Sequence, residues 1–187
     1  MNQHRTLNFP AKSTFMALAA TAATLLAAPS WAAPTQLQEQ QSVEISASPD
    51  KVWGIIKNFN DLTWVAVVKA SNATKGNTIG SIRTLEMGGP KLTEELVQYN
   101  ASAHSYTYAI QNTAANQQVV PLSDVKATIS VAPGKDGGSK VTWQAAFHRV
   151  DHSDTPAAGH DDAAAKQTMN GVIGGGLASL KQKAEVK

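Results

Sequence analysis

The sequence predicts an α+β fold, with one curved antiparallel sheet of seven strands wrapped around a long C-terminal helix and two short helices after the first strand. Three observations predict it. Apolar residues alternate with polar ones through most of residues 66 to 149, the period of half-buried strands. Turn residues such as Lys75-Gly76-Asn77, Gly88-Gly89 and the run 134 to 138 break that alternation at hairpin spacing. After residue 160 the period becomes helical, with Ala165, Met169, Val172, Ile173, Leu177, Leu180 and Ala184 on one stripe.

The elements follow in order from the N-terminus. Residues 1 to 32 read as a cleavable secretory signal. Arg5 and Lys12 precede any acidic residue, the first being Glu39, and STFMALAATAATLLAA supplies an apolar stretch too short and Ala-rich for a membrane span. Small residues at Ser30 and Ala32 place the cut before Ala33, and a single Arg near the start points to Sec-type export to the periplasm. No membrane span is then expected after processing. Residues 33 to 41 read as a flexible polar leader and residues 42 to 187 as one domain. Within it, Val43 and Ile45 alternate with polar neighbours as a first strand. Ser48 as N-cap and Pro49 at the first helical position open a helix with Val52, Trp53, Ile55 and Ile56 on one face. A second helical turn is expected near residues 62 to 65. Strands are expected at 66 to 73, 79 to 87, 91 to 99, 103 to 112, 122 to 132 and 139 to 149, before Asp161 or Asp162 caps the long helix.

Composition narrows the function. Removing Arg5 and Lys12 takes Lys+Arg from 16 to 14 against 14 Asp+Glu, so the processed chain is formally neutral. That leaves no electrostatic case for nucleic acid. With no cysteine there is no disulfide, thiolate nucleophile or thiolate metal site. His148, Asp151, His152, Asp154, His160, Asp161 and Asp162 match no metal-ligand spacing, and solvated loop residues with a helix cap explain them, so no metal and no cofactor is expected.

The hairpin from 79 to 99 carries the most information. A two-residue Gly88-Gly89 turn sets Arg83 opposite Glu94 and Leu85 opposite Leu92, on an otherwise apolar face. Such a pair acts either as a structural shield or as a polar anchor for a ligand. The same inward parity names Val65, Val67, Met87, Tyr108, Ile110, Val125, Ala127, Trp143, Ala145 and Phe147 as wall positions, with Met169 and Ile173 facing them from the helix. An apolar wall with one charged pair suits a small hydrophobic or amphipathic ligand, the alternative being a filled core. Gly174-Gly175-Gly176 costs the last helix roughly 3 kcal/mol relative to Ala, which either close packing on the sheet or a gate over a pocket would offset.

Together with the element order, ISASPDKVWGIIKNFNDLTWV, IGSIRTLEM, LTEELVQYN, SYTYAI, DVKATISV, GGSKVTWQAAF and GGGLASLKQ resemble the SRPBCC helix-grip superfamily of polyketide cyclase/dehydrase and lipid-transport domains, related to START and birch-pollen-allergen proteins. A secreted, cysteine-free, single-domain member is most similar to MxaD-type periplasmic proteins. The resemblance implies a cavity lined by Arg83 and Glu94, and a helper role for a periplasmic methanol dehydrogenase and its c-type cytochrome. Two other readings stay open: a cyclase or dehydratase using Glu94 as acid/base, and a lipid or hydrophobic-metabolite carrier. An arginine opposite Glu94 favours the carboxylate over the acid form, which argues against a general acid.

Overall fold

A computed structural model describes Met1 and residues 35 to 186. The signal segment, Met1 apart, lies outside the described residues. The remainder is one seven-stranded antiparallel sheet in the order β1-β7-β6-β5-β4-β3-β2, with a long helix against it. The strands are β1 (Leu37–Ile45), β2 (Ala70–Ala73), β3 (Ile82–Glu86), β4 (Leu92–Asn100), β5 (Ser105–Ile110), β6 (Leu122–Pro133) and β7 (Ser139–Arg149); the helices are α1 (Pro49–Ile56), α2 (Ala114–Val119) and α3 (Asp162–Glu185). Among the described residues no helix is long and apolar enough to cross a membrane.

The helix starts follow local chemistry. Ser48 Oγ accepts from Lys51 N with Pro49 in the first turn, and Asp161 Oδ1 accepts from Ala164 N to open α3. Ala165, Met169, Ile173, Leu177, Leu180 and Ala184 are buried under the sheet, whereas Val172 is 42 % exposed. The stripe is therefore one residue narrower than its period suggests.

Three local readings change. The strand β1 begins at Leu37, so the segment expected to be a flexible leader supplies half of it; buried Leu37 pairs with Phe147, and Gln41 pairs with Trp143. At residues 62 to 65 the chain makes hydrogen-bonded turns (Val65 N to Leu62 O, 2.9 Å) instead of a helix, with Asp61 Oδ1 accepting from Thr63 N and Oγ1. A second short helix stands instead at α2, where buried Asn116 accepts from Thr93 N at 2.9 Å and donates to Thr93 O and Gln111 O at 2.9 and 2.7 Å.

Bulges curve the sheet. One falls between Leu96 and Gln98 on β4, the other between Ser123 and Lys126 on β6. Asp124 at the second takes φ 52°, an uncommon value for a non-glycine residue, and is held by reciprocal bonds with Asn112 at 2.6 and 2.8 Å.

Candidate functional site

The β3–β4 register is the one expected from the sequence: Arg83 faces Glu94 and Leu85 faces Leu92. Gly88, in the connection between the two strands, has φ 91°, a conformation that L side chains rarely adopt. Arg83 is 0 % exposed and Glu94 3 %. The guanidinium donates to Glu94 Oε2 from Nε at 2.9 Å and from the second terminal nitrogen at 2.5 Å, and to the Phe59 carbonyl at 3.2 Å. Its Cζ lies 4.1 Å from the Phe59 ring centroid and 5.5 Å from that of Tyr108. Phe59 is itself positioned by Asn77 Oδ1, which accepts its N–H at 2.7 Å. Burial works against the cation, but Glu94 and the neighbouring phenol oxygens of Tyr106 and Tyr108 outweigh it and raise the Arg83 pKa.

Beside this pair the sheet and α3 enclose a cavity of about 370 Å³. Leu62, Val65, Val67, Val68, Leu85, Met87, Leu92, Val119, Val120 and Val172 give it apolar walls, joined by Glu94, Tyr108 and Trp143. Val67 is 64 % exposed and Val172 42 %, so an apolar rim leads in. Ser179 links the two sides of that opening, its Oγ donating to Gly175 O at 2.9 Å and accepting from Ala66 N at 3.2 Å.

Of the residues expected in a ligand pocket, Glu94, Leu85, Met87, Tyr108 and Trp143 stand on this wall. Arg83 does not; it is sealed behind Glu94. Val125, Ala127, Ala145, Phe147, Met169 and Ile173 are buried core and also do not reach the cavity. Strand parity assigns a face correctly but says nothing about depth, and here the part of the sheet nearest Met169 and Ile173 is closed by packing. Ala127 and Ala145 lie on successive strands beside Tyr108 in the ladder, where their small side chains leave room for its ring. Burial raises the pKa of Tyr108 well above that of a free phenol, and Glu94 adds to the effect; Tyr106 shifts the same way for the same first cause. Trp143 Nε1 is buried with no hydrogen-bond partner among the described residues, although it stands near enough to Tyr108 to oppose that rise slightly.

The triple glycine resolves into three separate fits. A Cβ on Gly174 would meet Gln41 Oε1 at 3.1 Å, and Gln41 Nε2 donates to Asn170 O at 2.9 Å, tying β1 to α3. A Cβ on Gly176 would overlap the Trp143 ring at Cζ3 and come within 3.1 Å of Cη2. Gly175 has open space at that position and lines the cavity, as does Gly171 one turn earlier. Sequence reasoning missed Gly171, Val119 and Val120 as wall residues. The i, i+4 spacing of Gly171 and Gly175 on the face that also holds Ser179 was the available signal.

The acidic and histidine residues near the end of β7 do different work. His148 Nδ1 lies 3.3 Å from Asp124 Oδ2, Ser123 Oγ is 3.1 Å from His152 Nε2, and Arg149 pairs with Asp162 at 2.6 Å, fastening the loop to the start of α3. Among the described residues no three His, Asp or Glu side chains form a metal-binding group.

Residues 37–185 match the family described as polyketide cyclase / dehydrase and lipid transport. The chain belongs to that family. No curated protein matches it significantly. Among solved structures it is similar to the protein XoxI from Bacillus cereus, at 29 % identity and TM-score 0.65 over 78 % of this chain and 94 % of that one. An uncharacterised protein from Bacillus thuringiensis is 28 % identical with TM-score 0.66, over 79 % of this chain and 98 % of its own. Ara h 8.0201, at 15 % identity and TM-score 0.61 over 80 % and 98 % of the two chains, shares the helix-grip fold.

Proposed function

We propose that the chain is exported, loses residues 1 to 32, and acts in the periplasm as a non-catalytic protein that holds a small, mainly apolar molecule beneath its last helix. Its role there is accessory to a dehydrogenase and a c-type cytochrome. The observation that carries the binding reading is the cavity of about 370 Å³, at the small end of the range for ligand sites, with apolar walls and a few polar atoms on one side. The signal at residues 1 to 32 supports export, and the resemblance to MxaD-type proteins supports the accessory role.

A second reading, an enzyme of cyclase or dehydratase type, draws on Glu94 and Tyr108 facing one cavity. Against it stands Arg83, whose Nε and second terminal nitrogen both donate to Glu94 Oε2 and so tie up that oxygen in an ion pair. Burial likewise disfavours the Tyr108 phenolate, leaving that group a poor base.

Titration with an environment-sensitive apolar dye tests the binding reading. Saturable binding to the wild type is expected, together with at least tenfold weaker binding to Gly175→Leu, which places a side chain at the cavity's mouth where space is open. Equal binding to both proteins would remove the cavity from the account.

A further inference from the structure

One side of the cavity's mouth is a strap, residues 61 to 68, that belongs to no helix or strand, and the other side is α3. How that mouth opens is an inference that rests on the binding reading above. Both ends of the strap are fastened. Before it, Phe59 N donates to Asn77 Oδ1 at 2.7 Å and Phe59 O accepts from Arg83 at 3.2 Å, while Asn60 O accepts from Ser71 Oγ at 2.8 Å. After it, Lys69 N donates to Glu86 O at 2.8 Å. Between those points its backbone bonds are turns of its own, Val65 N to Leu62 O and Val68 N to Val65 O, both 2.9 Å. Among the described residues a single hydrogen bond joins the strap to α3, from Ala66 N to Ser179 Oγ at 3.2 Å.

That bond sits where breaking it costs little. Ala66 is exposed and Ser179 half-buried, so water replaces each partner once they separate and no buried polar group is left unsatisfied. The Ser179 hydroxyl still donates to Gly175 O at 2.9 Å, which keeps it on the helix after the strap has left. Nor does α3 interlock with the strap, since a Cβ on Gly171 or Gly175 would meet nothing within 4 Å. Trp64 is the fixed point. It is 2 % exposed and its ring centroid lies 5.9 Å from that of Trp143, which holds the strap's inner half in the core. Val65, Ala66 and Val67 are the part that can move without uncovering a buried side chain.

We propose that residues 65 to 67 are a gate over the cavity and that the Ala66–Ser179 hydrogen bond is its latch. The gate turns between Trp64 and Lys69, and an apolar molecule enters or leaves while the latch is broken.

Dye exchange followed by stopped-flow fluorescence tests this. Ser179→Ala removes the acceptor and keeps a good helix former, so dye entry and release should both quicken about three- to tenfold, the range set by one hydrogen bond. The pair Ala66→Cys and Ser179→Cys adds a lock to a chain that has no cysteine of its own. Oxidised, it should exchange dye about tenfold more slowly than the same protein after reduction, which serves as its own control for folding. Unchanged rates in Ser179→Ala, faster release alone, or equal exchange before and after reduction overturn the latch. Failure of the two sulfurs to join under an oxidant overturns it as well, by showing that the strap does not lie against α3 at this point. In each of those cases the dye still binds and the cavity stays a binding site. A wild type that binds no dye removes both readings.

Discussion

Replacing Gly175 by alanine should stabilise the protein and replacing Gly176 should not, although the two are neighbours on one helix. Both variants gain the helix propensity of Ala over Gly, about 1 kcal/mol. At Gly175 nothing lies within 4 Å of the added carbon, so the gain should appear undiminished. At Gly176 the added carbon overlaps Trp143 Cζ3 and lies 3.1 Å from Cη2 and 3.3 Å from Cε3, all ring atoms of a side chain that is 4 % exposed. The indole cannot swing aside without disturbing Trp64, and overpacking of this kind costs about 1 to 3 kcal/mol. The net expectation is about 1 kcal/mol of stabilisation for Gly175→Ala and from no change to about 2 kcal/mol of destabilisation for Gly176→Ala. Urea denaturation followed by far-ultraviolet circular dichroism measures both, with the slope unchanged and the midpoint shifted. If both variants gain stability equally, Trp143 is not packed on the helix and the wall of the cavity is wrongly drawn.

The buried ion pair gives a coupled prediction. Arg83→Met and Glu94→Leu should each destabilise by roughly 3 kcal/mol and the double variant should recover much of that loss, whereas additive losses in a double-mutant cycle would show that the residues do not interact. The tyrosines give a pH prediction: burial raises the pKa of Tyr99, Tyr106 and Tyr108, the three tyrosines of the chain, so the native state keeps protons that the unfolded state releases above about pH 10. This contribution is fully present below that pH and is lost as pH rises through the higher native values, so stability falls with alkalinity; phenolate absorbance that rises near pH 10 while the fold persists would contradict it. The exported protein should have the mass of residues 33 to 187, and an intact-mass spectrum retaining residues 1 to 32 would refute processing.

Several features were legible because short-range chemistry decides them. The β3–β4 register, and with it the meeting of Arg83 and Glu94, is the one expected from a turn centred on Gly88-Gly89, although residues 87 to 91 all lie in the connection between the two strands. Ser48-Pro49 and Asp161 announce their helices by the same local logic. The short helix α2 was not legible. AANQQV carries almost no hydrophobic contrast, and the bonds of Asn116 to Thr93 and Gln111 that anchor it lie outside its own segment. The early start of β1 was hidden similarly. Glu39 and Gln41 sit where apolar residues would mark an inward face, and Gln41 is accommodated only because Gly174 leaves space for its amide. For the cavity, parity named the right strands but could not separate Tyr108 and Trp143, which line it, from Ala127 and Ala145, which do not. That distinction depends on what α3 presents opposite each position: Gly171 and Gly175 where the space is open, Met169 and Ile173 where it is closed.

A crystal structure of the protein grown with decanol would show whether the space beneath α3 takes up an apolar molecule. One decanol is expected in the cavity, its chain running out beside Gly175 between Val67 and Val172. A cavity closed by its own side chains, or decanol bound only on the outer face of the sheet among Gln38, Gln98 and Gln144, would contradict it.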